Sequence, residues 1–485
     1  MSSPMDGTES QHSPLVVLGG GPGGYPAAFM AADAGHEVTL VDDGAVPGGT
    51  CLRHGCIPSK ALLHVAKVIG EASEASAAGV VFGKPNIDLD RLRAWKDEVI
   101  ASLGGGVGQL AGARSVRLVV ARGRLVDDHT LELSTATGQS SRLGFDRLIL
   151  ATGSRPVWPP PLVVDSPLVM DSAAALELPD VPERMLVVGG GYIGLEMGTV
   201  YAALGSRVTV VEMAAALLPG VDGDLVRPLS RRLAERFESI RLRTSVESLS
   251  VENGRVTAVM VDDEQGRETE SFDRVLVAVG RRPNSEGLGL DAAGVEVGPV
   301  GEVVVDADGR TTCEHILAVG DVCGGAMLAH RATRDARRVV ATLNGTGSGG
   351  PTAADMLVPA VAFTDPEVAW CGLTETDARA TGRQILVSRV PWAASGRAQA
   401  SRCPDGLTKL VLDPESGEVL GAGLVGAGAG ELIAEAVLAI SQGLTAEELA
   451  AAIHPHPTLS ETISEAAEHA AGRAVHILPR RRRER

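Results

Sequence analysis

The stretch SPLVVLGGGPGGYPAAFMAADAGHEVTLVDD, residues 13 to 43, decides the fold. An apolar run is followed by a glycine-rich turn, an alanine-rich helical segment and a second apolar run, residues 38–41, closed by Asp42. Gly19, Gly21 and Gly24 meet the spacing G-x-G-x-x-G: one glycine permits a tight turn, one lets backbone approach a pyrophosphate, and one lets helix and strand pack closely. Asp42 stands where a carboxylate accepts from ribose hydroxyls. The unit then recurs. ERMLVVGGGYIGLEMGTVYAALGSRVTVVEM, residues 183 to 213, carries Gly189, Gly191, Gly194 and Glu212, each 170 positions after its counterpart. One glycine fingerprint is weak evidence, but two in the same strand–turn–helix–strand context with an acid at matched spacing predict two doubly wound α/β nucleotide folds.

Two dinucleotide sites in one chain imply a relay between two carriers. A Glu212 carboxylate about 4 Å from a 2′-phosphate would cost about 4 kcal/mol per unit charge at an effective dielectric near 20, so the second carrier is expected to be NAD rather than NADP. Arg207, the competing cation, lies at the beginning of that strand and not at its ligand-facing end. FDRLILATGSRP (145–156), FDRVLVAVGRRPN (272–284) and HILAVGDVCGGAMLAH (315–330) each read as a buried strand running into a glycine turn, which suits chain crossings between nucleotide domains.

Between the fingerprints lies GGTCLRHGCIPSKALL, residues 48–63, with Cys51 and Cys56 five positions apart. The segment after Pro58 has helical periodicity, with Leu62, Val65 and Ile69 on one face, so the cysteines fall at or just before a helix N-terminus, where dipole and free amides favour a thiolate. A zinc site needs further soft ligands, and His54 alone does not complete a tetrahedral set. Cys313, Cys323, Cys371 and Cys403 stand alone in sequence and read as inert. Thiol exchange also needs a base, and HPHPTLSE near the C-terminus offers His454, His456 and Glu461; local pattern does not choose between the histidines.

Composition sets the limits. At 485 residues the chain needs more than one core, and with aromatics at 3% that core must be aliphatic. A net charge of −17 opposes nucleic acid and anionic membranes as partners, and no apolar run reaches the roughly 18 residues of a membrane helix. Six cysteines are too few for a disulfide-stapled secreted domain, so a reducing cytoplasm is expected. The polar start, MSSPMDGTESQHS, reads as a short disordered leader and the arginine run of AVHILPRRRRER as a solvated tail.

From about Leu15 to Leu478 these motifs, together with FTDPEVAWCGLTE, PWAASGRA and GAGELIAEAVLAI, resemble the flavin-dependent pyridine-nucleotide disulfide oxidoreductases, in particular their bacterial branch that oxidises dihydrolipoamide. The resemblance implies an FAD-binding domain with a redox disulfide over 1–155, an NAD-binding domain over 156–282, a central region completing the FAD domain over 283–352, and a C-terminal α+β dimerisation domain over 353–485. It implies that Gly19, Gly21, Gly24, Asp42, Lys60, Gly123, Gly153, Asp321 and Ala329 contact FAD. Gly189, Gly190, Gly191, Tyr192, Ile193, Gly194, Glu212, Val246 and Gly280 would hold NAD, and Glu196 would pair with Lys60. Cys51 would be the interchange thiol and Cys56 the flavin-facing one, with His456 the base and Glu461 its orienting acid, both from the partner subunit of a homodimer. Dihydrolipoamide carried on a lipoyl domain is the implied substrate, and the acyltransferase core of a 2-oxo-acid dehydrogenase complex the implied partner.

Four departures from the family pattern stand out: Pro26 in the first helix, Arg53 and His54 between the thiols, and Pro455 beside the base. Pro26 is expected to remove one helical hydrogen bond, and Arg53 to lower a thiol pKa by charge proximity. Glutathione-type reductases normally use NADP, which Glu212 opposes; mercuric reductases carry a C-terminal cysteine pair that this chain lacks; transhydrogenases of the family lack the thiol pair. A docking subunit with little turnover of its own is the alternative from another class.

Overall fold

In a computed structural model the chain is described over residues 11–264, 266–347 and 357–478. Residues 11–13, assigned to the leader by sequence, already belong to the first strand, Gln11–Leu18. Most of that leader and the C-terminal arginine run lie outside the described residues.

The first strand is central in its sheet. It pairs in parallel with Val38–Asp42 on one side and Ser140–Leu150 on the other, and is buried on both faces, which explains why it reads as a continuous apolar run. Arg117–Val120 extends the sheet beyond Val38–Asp42; Ile316–Ala318 joins Ser140–Leu150 in parallel, and Thr130–Ser134 and Arg122–Leu125 continue it antiparallel. The chain thus leaves the central strand toward one neighbour and later returns on its other side, opening a crevice at the strands' carboxyl ends. The helix Gly24–Asp33 packs Ala27, Ala28 and Ala31 against Leu15 and Val17, the small side chains letting it lie close to the sheet.

The second unit repeats this plan. Its sheet runs Ser239–Leu242, Arg207–Glu212, Arg184–Val188, Arg274–Val277, Val169–Met170, all parallel, with a three-stranded antiparallel sheet over 244–272 attached. Residues 360–426 supply a five-stranded antiparallel sheet, against which the helix Ala429–Ser441 packs. Ile433, Val437 and Ile440 of that helix face the domain's own core.

One aliphatic cluster fixes the site. Leu62 and Leu63 of the thiol helix, Cys56–Glu74, pack with Leu195 and Val200 of the second unit and with Ala362, Val368 and Val425 of the C-terminal sheet. The helix that carries Cys56 is therefore held by all three units at once.

Candidate active site where two nucleotide clefts meet

Both fingerprints build the same cradle. Gly19 and Gly189 have φ of +103° and +113°, and a Cβ on either would fall 2.3 or 2.4 Å from a facing carbonyl oxygen, of Ala151 or Ala278. The third glycines sit tighter still: a Cβ at Gly24 would lie 1.7 Å from the Gly19 oxygen, and one at Gly194 2.2 Å from that of Gly189. These glycines are required by close approach of backbone to backbone. The acids behave alike as well. Asp42 accepts from the Gly20 amide at 2.6 Å and the Gly44 amide at 2.8 Å; Glu212 accepts from the Gly190 and Ala214 amides, each at 2.7 Å.

The first cleft is lined by Gly19, Gly21, Asp42, Cys51, Cys56, Lys60, Gly153, Glu196, Asp321 and Ala329, among others. A Cβ at Gly49 would lie 2.5 Å from the Gly21 Cα, so two bare backbones face each other there, a surface suited to a pyrophosphate. The second cleft is lined by Gly189, Gly191, Glu212, Val246 and Gly280; the Cβ positions of Gly191 and Gly280 are open space. Tyr192, Ile193, Arg281 and Met327 line both clefts. The residues present fit FAD in the first cleft and NAD in the second, and the two clefts share a wall. Gly123 lies outside either lining and packs against Leu18, where a Cβ would come within 2.7 Å of its Cδ1.

The thiols stand beside the first cleft. Cys56 is the first residue of its helix, and Cys51 belongs to a separate six-residue helix, Gly49–His54. The two thiols are linked through a side-chain hydrogen bond. That bond, donated by Cys51, pulls the Cys56 thiol down to about 7 against the opposing effect of burial, and the Lys60 ammonium adds to the lowering. The same bond, reinforced by burial, pushes Cys51 well up. Cys56 is therefore the more readily ionised sulfur of the pair. Lys60 Nζ donates to Glu196 at 2.9 and 3.1 Å and lies 4.4 Å from the centre of the Phe363 ring, while the Phe363 amide donates to Glu196 at 3.0 Å. With Glu196 only 3% exposed, Lys60 is oriented by a partner that cannot swing away. Phe363, from the C-terminal sheet region, was not singled out by sequence; its role depends on a contact between distant segments.

One sequence expectation is corrected. Arg53 does not face the thiols: its Nη2 lies 3.2 Å from Asp42 Oδ1 and 3.8 Å from Asp43 Oδ1, and Lys60 is the cation acting on Cys56. Pro26 does take one bond out of the helical ladder, as expected: the Tyr25 and Ala27 amides on either side donate to the Gly21 and Gly23 carbonyls at 3.0 and 3.3 Å. Left without that donor, the Pro22 carbonyl accepts from the Thr333 hydroxyl at 3.0 Å. Arg207 pairs with Glu183 and Glu238, away from the ligand end of its strand.

The histidines separate into two environments. His454 is largely buried, with Nε2 2.7 Å from Glu435 Oε1. His456 is 78% exposed, with Nδ1 2.9 Å from Glu461 Oε1 and Nε2 left for solvent or a substrate. Burial tends to raise the Glu461 carboxyl, but the Thr458 amide and His456 outweigh it and hold it low, so it stays an anion beside the ring. This imidazole–carboxylate pair does not line the thiol cleft of its own chain.

Remaining cysteines fit the inert reading: burial pushes Cys323 and Cys371 each up to about 12 and raises Cys313 and Cys403. Asp222, Asp224 and Glu375 converge closely enough to hold a metal, but the buried Lys409 ammonium occupies that centre, 2.6, 2.7 and 3.1 Å from their oxygens. It ties the helix Gly223–Arg236 of the second unit to the C-terminal sheet. Among the described residues no helix is long and apolar enough to cross a membrane.

Comparison with known proteins agrees with this geometry. Residues 13–336 match the pyridine nucleotide-disulphide oxidoreductase family, and residues 358–467 match that family's dimerisation domain. A dihydrolipoyl dehydrogenase of Vibrio parahaemolyticus is 43% identical over 94% of each chain, and one of Halobacterium salinarum is 42% identical over 98% of this chain and 99% of its own. Among solved structures, LpdA of Mycobacterium tuberculosis superposes with a TM-score of 0.86 at 28% identity, and the HOCl-induced flavoprotein disulfide reductase RclA of Escherichia coli with 0.82 at 29%. Each of these two covers 94% of this chain and 99% of its own. Since the family's two models between them account for nearly every residue of both nucleotide units and the C-terminal sheet, the chain belongs to the pyridine nucleotide-disulphide oxidoreductases.

Proposed function

We propose that the protein is a dihydrolipoyl dehydrogenase, oxidising the dithiol of dihydrolipoamide and reducing NAD. The observation that carries the reading is the asymmetric thiol pair at the first cleft: Cys56 down at about 7, Cys51 raised. In a Cys51–Cys56 disulfide, attack by a substrate thiolate on Cys51 breaks the S–S bond and sends the electron pair to Cys56. Exchange is faster when the departing thiol has the lower pKa, so the chain favours Cys56 as the leaving sulfur and Cys51 as the one attacked. Attack by the second substrate sulfur on the first closes the cyclic disulfide and releases Cys51.

Each attacking sulfur must first give up its proton. The exposed His456 accepts it at Nε2, while Glu461 fixes Nδ1 and stabilises the imidazolium. That pair points outward and has no thiol of its own chain to serve, which supports a homodimer in which His456 of the partner subunit faces Cys51. Bound FAD supplies the two-electron carrier between sulfur and nicotinamide. Lys60, held by Glu196, keeps a positive charge beside Cys56. Glu212, with backbone amides as its partners, admits ribose hydroxyls and repels a 2′-phosphate. A lipoyl domain bound to the acyltransferase core of a 2-oxo-acid dehydrogenase complex is the substrate form proposed for this partly buried thiol site.

The test is NADH formation from dihydrolipoamide. Wild type turns over, Cys51→Ser falls to background while keeping its flavin, and His456→Gln loses about 10²–10⁴-fold in kcat. Dithiol-dependent turnover in Cys51→Ser equal to wild type would refute the reading.

A further inference from the structure

Two carboxylates, Asp42 and Asp43, line the end of the first cleft, where the ribose and diphosphate of a dinucleotide would lie. Their charges oppose those phosphates. The second cleft has a single acid at the matching place, and Glu212 has no cation in ion-pair range among the described residues. The first cleft has Arg53, a departure from the family pattern.

Arg53 reaches Asp42 and Asp43 from the short helix Gly49–His54, and lines the cleft beside Gly20, Gly21 and Thr50. Its guanidinium occupies the space that a side chain at residue 44 would take: a Cβ there would lie 1.3 Å from Nη1, so the guanidinium would have to move. In the repeat that position is Ala214. Gly44 and Arg53 are thus a matched pair peculiar to the first unit. The Arg53 Nε is buried and has no hydrogen-bond acceptor in the protein, so the guanidinium is incompletely satisfied by its own chain. The Arg53 side chain is about a quarter exposed on the wall of a diphosphate cradle, where a planar fork of donors suits phosphate and ribose oxygens.

We infer that Arg53 is a cofactor-retaining residue: it neutralises Asp42 and Asp43 and binds the adenosine diphosphate half of FAD, an inference that rests on the flavoenzyme reading above. FMN, which lacks the adenylate, is the control ligand. Apoprotein of wild type, Arg53→Asn, Arg53→Lys and Gly44→Ala is titrated with FAD and with FMN at low and high salt, following flavin fluorescence. Arg53→Asn is expected to weaken FAD about tenfold or more at low salt and to flatten its salt dependence, with FMN affinity unchanged. Arg53→Lys keeps the salt dependence, and Gly44→Ala, whose methyl displaces the guanidinium, weakens FAD in the same direction. Equal FAD affinity in wild type and Arg53→Asn overturns the inference, as does an equal loss for FAD and FMN. A wild type that takes up neither flavin overturns the flavoenzyme reading and this inference with it.

Discussion

The two nucleotide units share their local structure almost bond for bond and then part company a few residues later. Besides the matched acid–amide bonds, the Gly48 amide donates to the Gly20 carbonyl at 2.7 Å, and the Leu218 amide, 170 residues on, donates to that of Gly190 at 2.9 Å. Three residues past that bond the units diverge. Positions 51 and 56 are cysteines; positions 221 and 226 are valines, and Val226 is buried in the cluster that joins all three units. The first unit devotes the helix that follows to sulfur chemistry, and the second anchors its equivalent through Asp222 and the buried Lys409. Backbone shape and glycine spacing specify a dinucleotide. What that dinucleotide is used for is written in the segment after the second strand.

The most severe way to probe this comparison is to add one methyl group to each cradle. Gly24→Ala and Gly194→Ala both force a Cβ into a carbonyl oxygen, at 1.7 and 2.2 Å, and each should cost about 3 kcal/mol or more unless the backbone shifts. Their consequences differ. Gly24→Ala should give protein depleted of flavin, with a lowered melting temperature and no turnover. Gly194→Ala should stay yellow and keep reduction of its active-site disulfide by dithiol, while losing NAD affinity. Flavin absorbance, melting and single-turnover reduction check all three; a Gly194→Ala protein without flavin would show that the two sites are not separable.

A smaller effect is expected from exchanging the acids' surroundings. Asp42 has an arginine and Glu212 has only amides, so we propose that Glu212 sets nicotinamide choice through a negative charge that no neighbouring cation offsets. Glu212→Ala should shrink the NAD-over-NADP preference in kcat/KM by about a hundredfold, through a gain for NADP and a modest loss for NAD. The equivalent change at Asp42 should leave nicotinamide choice alone and alter flavin retention. Steady-state kinetics with the two nucleotides decide the point, and an unaltered ratio in Glu212→Ala would place discrimination elsewhere in the cleft.

How much of this was legible beforehand follows the same division. Both nucleotide folds, the thiol helix and the acids could be read because a glycine forced by a 1.7 or 2.2 Å approach leaves a fixed mark in sequence. Arg53 was misread because sequence gives adjacency to Cys51 and Cys56 but not direction, and a residue near the end of a short helix is free to turn toward either neighbour. Phe363 and the Lys409 centre were beyond reach, since each joins segments more than a hundred residues apart and neither has a local pattern.

The finest distinction lies in what lowers Cys56. Its hydrogen bond from Cys51 has the largest effect, burial opposes it, and Lys60 adds its charge while Glu196 works the other way. In a Cys51→Ser background only one active-site thiol remains, and the cysteines at 323 and 371, up at about 12, do not compete near neutrality. Because the shift is downward, reactivity toward an alkylating agent should rise as pH increases through the Cys56 midpoint and level off above it. Lys60→Met removes a cation and leaves Glu196 uncompensated, so the midpoint should climb by about one unit. Glu196→Gln should move it the opposite way, and the double variant should fall between. If Lys60→Met leaves the midpoint where it was, the thiolate owes nothing to the lysine, and the first unit's advantage over the second reduces to having a sulfur where the other has a valine.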